Sequence, residues 1–116
     1  MKVLRLEHKG ELAGTVYLAD TFITRFRGLI GRRLKRDEGL LLIPCSQVHC
    51  FFMSYPIDVV YLTKEGKVLR IVENMKPGTI GARIKESESI LEMPAGSCKE
   101  KGITAGDWLN LIGMEE

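Results

Sequence analysis

The chain lacks any run of about 18 consecutive apolar residues, the length a membrane-spanning helix needs. Its longest uninterrupted apolar stretch, GLLLIPC at residues 39–45, is far shorter and suits a buried strand. The first residues, MKVLRLEHKGELAG, also lack the continuous apolar stretch of a secretion signal, with charges at Lys2, Arg5, Glu7 and Lys9. A cytoplasmic location is expected on that ground. Strong charge of one sign is missing too: the formal net charge is only +2, so no global field announces nucleic acid or a membrane as partner. With three cysteines, the thiols cannot all pair within one chain, which leaves core packing, metal binding or chemistry for them. Internal repeats, low-complexity tracts and linkers are absent from the sequence. At 116 residues it is the size of one domain with one hydrophobic core, spanning 1–116.

What is there is mostly strand pattern. VLRLEHKGELAGTVYLAD alternates apolar and polar residues around His8-Lys9-Gly10-Glu11, which predicts a hairpin at about residues 2–8 and 12–19. A second hairpin is expected in IDVVYLTKEGKVLRIVENM, where two β-branched runs flank Thr63-Lys64-Glu65-Gly66 and the glycine suits a positive φ. Leu40–Ile43 reads as a buried strand stopped by Pro44. Weaker strand patterns occupy residues 80–85 and 89–93, and a last one lies around Trp108–Ile112 after a short helical turn capped by Ser97. Between the first hairpin and the apolar run, Phe22, Phe26, Leu29 and Ile30 recur at helical spacing behind the capping candidates Asp20 and Thr21. Gly28 and Gly31 weaken that helix, since glycine costs on the order of 1 kcal/mol against alanine in a helix interior. Together these patterns predict an α+β domain: a mostly antiparallel, curved or barrel-like sheet of hairpins with one main amphipathic helix.

The chemistry-bearing residues concentrate in PCSQVHCFFMSYPID, residues 44–58. Cys45, His49 and Met53 could form a soft-metal site if this stretch were helical. Val48, Phe51 and Phe52 instead favour a strand, in which Cys45 and His49 would lie ~13 Å apart, too far for one ion. Packing is the stronger expectation for the cysteines. Asp58 interrupts an apolar run, so its carboxyl must find donors from a backbone turn, His49 or an arginine such as Arg27. Arg25, Arg27, Arg32, Arg33, Lys35 and Arg36 follow one another with no acid between Thr24 and Asp37. Such a stripe can hold a phosphate or carboxylate, or can be a solvated face with cations near a helix C-terminus. The aromatics are not interleaved with it, so nucleic-acid binding gains no support.

Three elements in order, Arg27-Gly28-Leu29-Ile30-Gly31-Arg32, then Gly39-Leu40-Leu41-Leu42-Ile43-Pro44, then His49-Cys50-Phe51-Phe52-Met53 with Pro56-Ile57-Asp58-Val59-Val60-Tyr61-Leu62, resemble domain-of-unknown-function family 192, also called uncharacterised protein family 0127. Leu91-Glu92-Met93-Pro94-Ala95-Gly96 is similar to that family's leucine-glutamate-x-x-x-glycine element. The resemblance implies a small domain of antiparallel strands, and neither a reaction nor a cofactor. The family's recurring residues fall here on Arg27, Gly28, Leu29, Arg32, Phe52, Met53, Pro56, Asp58, Glu92 and Gly96. Many members look exported and carry tryptophan at the position of Phe52.

The functional expectation is a binding or accessory module for a small anionic or amphipathic ligand. Its pocket would be framed by Arg25, Arg27, Arg32, His49, Met53, Asp58 and Glu92. The alternative is a hydrolase- or transferase-like enzyme using His49 with Asp58 or Glu92 as acid and base. A soft-metal binder through Cys45, His49 and Met53 is a third.

Overall fold

The computed structural model describes residues 2–29, 32–48 and 54–114. β1 (Val3–His8) and β2 (Glu11–Ala19) form the first expected hairpin, antiparallel through the Lys9-Gly10 turn. α1 (Phe22–Arg27) follows, then β3 (Glu38–Leu42), β4 (Ile57–Leu62), β5 (Val68–Met75), β6 (Ser89–Pro94), α2 (Ser97–Lys101) and β7 (Leu109–Gly113). The strands make one seven-stranded sheet in the order β5-β4-β6-β3-β2-β1-β7. Among the described residues every strand pairing is antiparallel except β2 with β3, whose parallel register requires the crossover through α1.

The sheet is curled into a half-barrel, and its end strands meet at one end. Lys67 bridges Trp108, Val68 N–H donates to Asp107 at 2.8 Å, and Leu109 N–H donates to Gly66 at 2.8 Å. Gly66 makes this closure possible: its φ is +95°, and a Cβ there would overlap the carbonyl oxygen of Leu109. Gly66→Ala is therefore expected to cost more than about 2 kcal/mol, read as a lower urea midpoint, because it adds left-handed strain to a backbone clash.

Both faces of the sheet are buried, which explains why every residue of β4 is buried and all but Asp58 are apolar. The inner cluster draws on all seven strands, with Leu6, Val16, Leu41, Val60, Val68, Leu91 and Leu109, and is filled by Cys98 and Ile103 from α2 and its exit. The outer cluster, with Ala19, Leu40, Leu42, Val59, Tyr61 and Ile90, is covered by Leu29, Leu34, Val48 and Tyr55 from the connecting segments.

Several expectations change. The helix after β2 ends at Arg27, with Thr21 as N-cap and Gly28 as C-cap at φ +49°. Phe26, expected on its buried stripe, is exposed, while Leu29 reaches the core from beyond the helix. Arg32 and Arg36 are therefore not on one helical face with Arg25. Residues 81–85 form no strand, and Cys45–Val48 are not in a strand either. Ser97 is the first residue of α2 rather than its cap, since Gly96 occupies that position and Ser97 Oγ donates to the Pro94 carbonyl.

Candidate functional site

Strand periodicity separates the two acids singled out above. Asp58 pairs across the sheet with Met93, and Val59 with Glu92, so Asp58 shares the inner face with Met93, Val60 and Cys98. Glu92 shares the outer face with Ile90, Leu40 and Val59. One pocket framed by both carboxyls is not what this sheet forms.

Asp58 is fully buried, and its carboxyl is committed to backbone amides. Oδ1 accepts from Asn74 N–H and Oδ2 from Cys98 N–H, both at 3.0 Å. The first holds a bulge where β5 slips register between Ile57 and Val59, with Asn74 at φ +53°. The second caps α2, whose own N-cap, Gly96, has no side chain to do so. Of the donors expected for Asp58, the backbone supplies these two, while Arg27 is exposed on α1 and His49 lies outside the described residues. Close to Asp58, burial first and then its carboxyl push the Cys98 thiol up to about 12, which leaves it an inert core group.

The outer face is different. Glu92 is only 2% exposed, flanked by Leu40 on β3 and Val59 on β4, and has no hydrogen-bond partner among the described residues. Burial alone raises its carboxyl to about 8, so it is neutral through most of the physiological range. Cys45, half-buried just beyond β3, donates to the Gln47 carbonyl at 3.1 Å. Its thiol is raised chiefly by burial, against the Gln47 hydrogen bond, with the Glu92 carboxyl adding to the rise and Arg25 opposing it. Neither titration makes Cys45 a ready nucleophile.

Arg32 lies on this same side. Its guanidinium stacks over Tyr17 at 4.9 Å, and its Nη1 is buried with no hydrogen-bond acceptor among the described residues. The backbone that carries it is clamped by Tyr55, whose hydroxyl donates to the Arg32 carbonyl at 2.8 Å and accepts from Leu34 N–H at 3.2 Å. Tyr17 in turn donates to Glu38 at 2.8 Å. That bond raises the phenol, and the Glu38 carboxyl is lowered first by the Lys35 amide and then by the same bond. Arg25, by contrast, spends one nitrogen on the carbonyls of Asp20 and Ile43, at 3.1 and 3.2 Å, tying α1 to the end of β3.

Of the residues expected at a site, Arg32 and Glu92 thus share a face with unused hydrogen-bonding capacity. Arg25 is structural on that face, Asp58 is structural on the other, and Arg27 faces solvent. His49 and Met53 lie outside the described residues. Tyr17 and Tyr55, which position Arg32, were not singled out from the sequence; Tyr17 carries only the signal of a strand alternation that puts it on the same face as Ala19. Among the described residues no group of three or more His, Cys, Asp and Glu could hold a metal ion, and no helix is long and apolar enough to cross a membrane.

Comparison with known proteins places this arrangement in a wider set. The family model DUF192, described as Uncharacterized ACR, matches residues 4–111. The UPF0127 protein TK1120 of Thermococcus kodakarensis is 30% identical over 108 residues, covering 89% of this chain and 68% of that protein. The UPF0127 protein PF1050 of Pyrococcus furiosus is 30% identical over 104 residues, covering 85% and 88%. A crystal structure from Sinorhizobium meliloti, described as a candidate transcription regulator, superposes with a TM-score of 0.80 at 28% identity, covering 95% of this chain and 92% of that one. A Novosphingobium aromaticivorans protein of unknown function superposes at 0.78 with 21% identity, covering 95% and 84%.

Proposed function

Since this chain belongs to the DUF192 family, whose description assigns no reaction, we propose from its own geometry that it is a cytoplasmic module binding a small anionic or amphipathic molecule on the outer face of its sheet. One observation carries the reading. A buried polar atom on that face, Arg32 Nη1, has no hydrogen-bond partner among the described residues, and the 2%-exposed Glu92 stands on the same face. Such groups cost roughly 1–3 kcal/mol each when left unsatisfied, and native proteins keep few of them without a use. A ligand that supplies acceptors to the guanidinium and meets the neutral acid would recover that cost. An anion fits better than a cation, because Arg32 and Arg25 both lie on this side while Glu92 carries no charge near neutral pH. The free thiols of Cys45 and Cys98 suit a reducing compartment.

Calorimetric titration at pH 7 with hexanoate, benzoate and inorganic phosphate tests this. At least one anion should bind saturably, and Arg32→Ala should weaken it by roughly 10- to 100-fold, the worth of a charge-assisted hydrogen bond. Arg27→Ala, altering an exposed arginine of α1, should leave it unchanged. Binding equally strong in Arg32→Ala, or absent for all three probes, would overturn the proposal.

A further inference from the structure

We infer that a cleft at the mouth of the half-barrel, separate from the outer face, is a second binding site, built to take a small aliphatic ammonium ion against His8. The cleft measures about 480 Å³ and is lined by the β1–β2 hairpin, the turn at Asp37 and the end of α2. Strand alternation sets His8 there. Leu6 and His8 are both buried on β1, and His8 pairs with Glu11 on β2 and Leu109 on β7, so its ring stands on the inner face at the end of the sheet.

The ring is held from behind. Nε2 lies 2.8 Å from Asp107 Oδ2, and Asp107 is itself fixed by the Thr104 amide at 3.0 Å and the Thr104 hydroxyl at 3.2 Å. Those bonds, the amide first and then His8, hold the Asp107 carboxyl below its ordinary value, so it accepts and Nε2 carries the proton. The His8 side chain is only 5% exposed, and Nδ1 has no hydrogen-bond partner among the described residues. With Nε2 committed to Asp107, the acceptor that the neutral ring offers an occupant of the cleft is Nδ1.

The charges around the cleft select the donor. Lys101 ends 2.6 Å from Asp37 Oδ1, Arg36 engages Glu100 at 2.8 Å, and Lys9 and Glu11 offset each other in the hairpin. Cations and acids are thus matched one for one, and the Asp107 carboxylate behind His8 is left over. That residual negative charge favours a cation over an anion, and the Nδ1 acceptor requires the cation to carry an N–H. Leu12 and Ala13 add an apolar wall against which a methylene stem can lie. The walls are also fixed in place: Thr15 N–H donates to the Asp37 carbonyl at 2.8 Å, Asp37 sits at φ +65°, and a Cβ on Gly14 would overlap that carbonyl oxygen.

The test uses the full chain at pH 8 with n-butylamine, tetramethylammonium, 1-butanol and butyrate, read from the ring ¹⁵N and ¹H NMR signals of the two histidines after through-bond assignment. n-Butylamine, protonated at that pH as a lysine side chain is, should bind saturably and shift His8 Nδ1. The other three should act on that signal about tenfold more weakly or less, the worth of one charge-assisted hydrogen bond. His8→Phe, which keeps an aromatic ring without its nitrogens, should weaken n-butylamine by a similar factor. Should that variant not fold, the wild-type Nδ1 response decides alone. An equal response to tetramethylammonium would mean that charge without a donor suffices, and an equal response to 1-butanol that a donor without charge does. Either result, no His8 response to n-butylamine, or unchanged binding in a folded His8→Phe chain would overturn the inference.

Discussion

At pH 8.5, Glu92→Gln should be more stable than the wild-type chain by on the order of 2–3 kcal/mol, an unusual outcome for a substitution at a fully buried polar site. The cause is the position of the carboxyl between Leu40 and Val59. Its folded value of about 8 stands well above the ordinary 4.5. Between those values the unfolded chain binds fewer protons than the folded one, so wild-type stability falls as pH rises through that window and levels off above about 8. This is opposite in sign to the usual salt-bridged carboxylate. The whole shift corresponds to roughly 4–5 kcal/mol, from which the desolvation of an unpartnered glutamine amide, ~1–3 kcal/mol, must be subtracted. Urea unfolding at pH 5 and 8.5 checks it. The variant's advantage should be present at the higher pH and vanish or reverse at the lower. Parallel pH profiles for the two chains would count against a neutral Glu92.

Asp58→Ala should lose about 3–5 kcal/mol, since it strips acceptors from two buried amides at once. Those amides belong to different elements, the β5 bulge at Asn74 and the first turn of α2 at Cys98. Their loss should therefore loosen both. Asp58→Asn, which keeps one acceptor oxygen, should cost distinctly less. Urea denaturation gives the magnitudes. Hydrogen exchange at the Asn74 and Cys98 amides would identify the mechanism, and a destabilised variant with both amides still protected would contradict it.

The contrast between these acids explains how far the sequence could be read. Local periodicity revealed the hairpins β1–β2 and β4–β5, the turn glycine at Gly66, the last strand and the mostly antiparallel character of the sheet. It could also have shown that Ile90 and Glu92 share a face. It could not show that β2 runs parallel to β3, or that Val59 rather than Asp58 stands beside Glu92, because inter-strand register is set by contacts distant in sequence. Asp58 looked functional because a carboxyl in an apolar run is anomalous. Its use is capping a helix some forty residues later whose own cap is a glycine, a relation no local pattern contains. The helical stripe at Phe22–Ile30 overran because Gly28 terminates the helix early, which also removed Arg32 from the arginine stripe and left Tyr55 to position it.

The central claim is that Glu92 is held as an uncharged acid, without a hydrogen-bond partner among the described residues, on the face that Arg32 overlooks. Its most direct test is a pH titration of the Glu92 side-chain carboxyl followed by ¹³C NMR, with Glu92→Gln to assign the signal. A midpoint near 8 is expected. A midpoint in the ordinary range of about 4–5 would mean that the carboxyl is charged at neutral pH and solvated or paired, and would contradict the account.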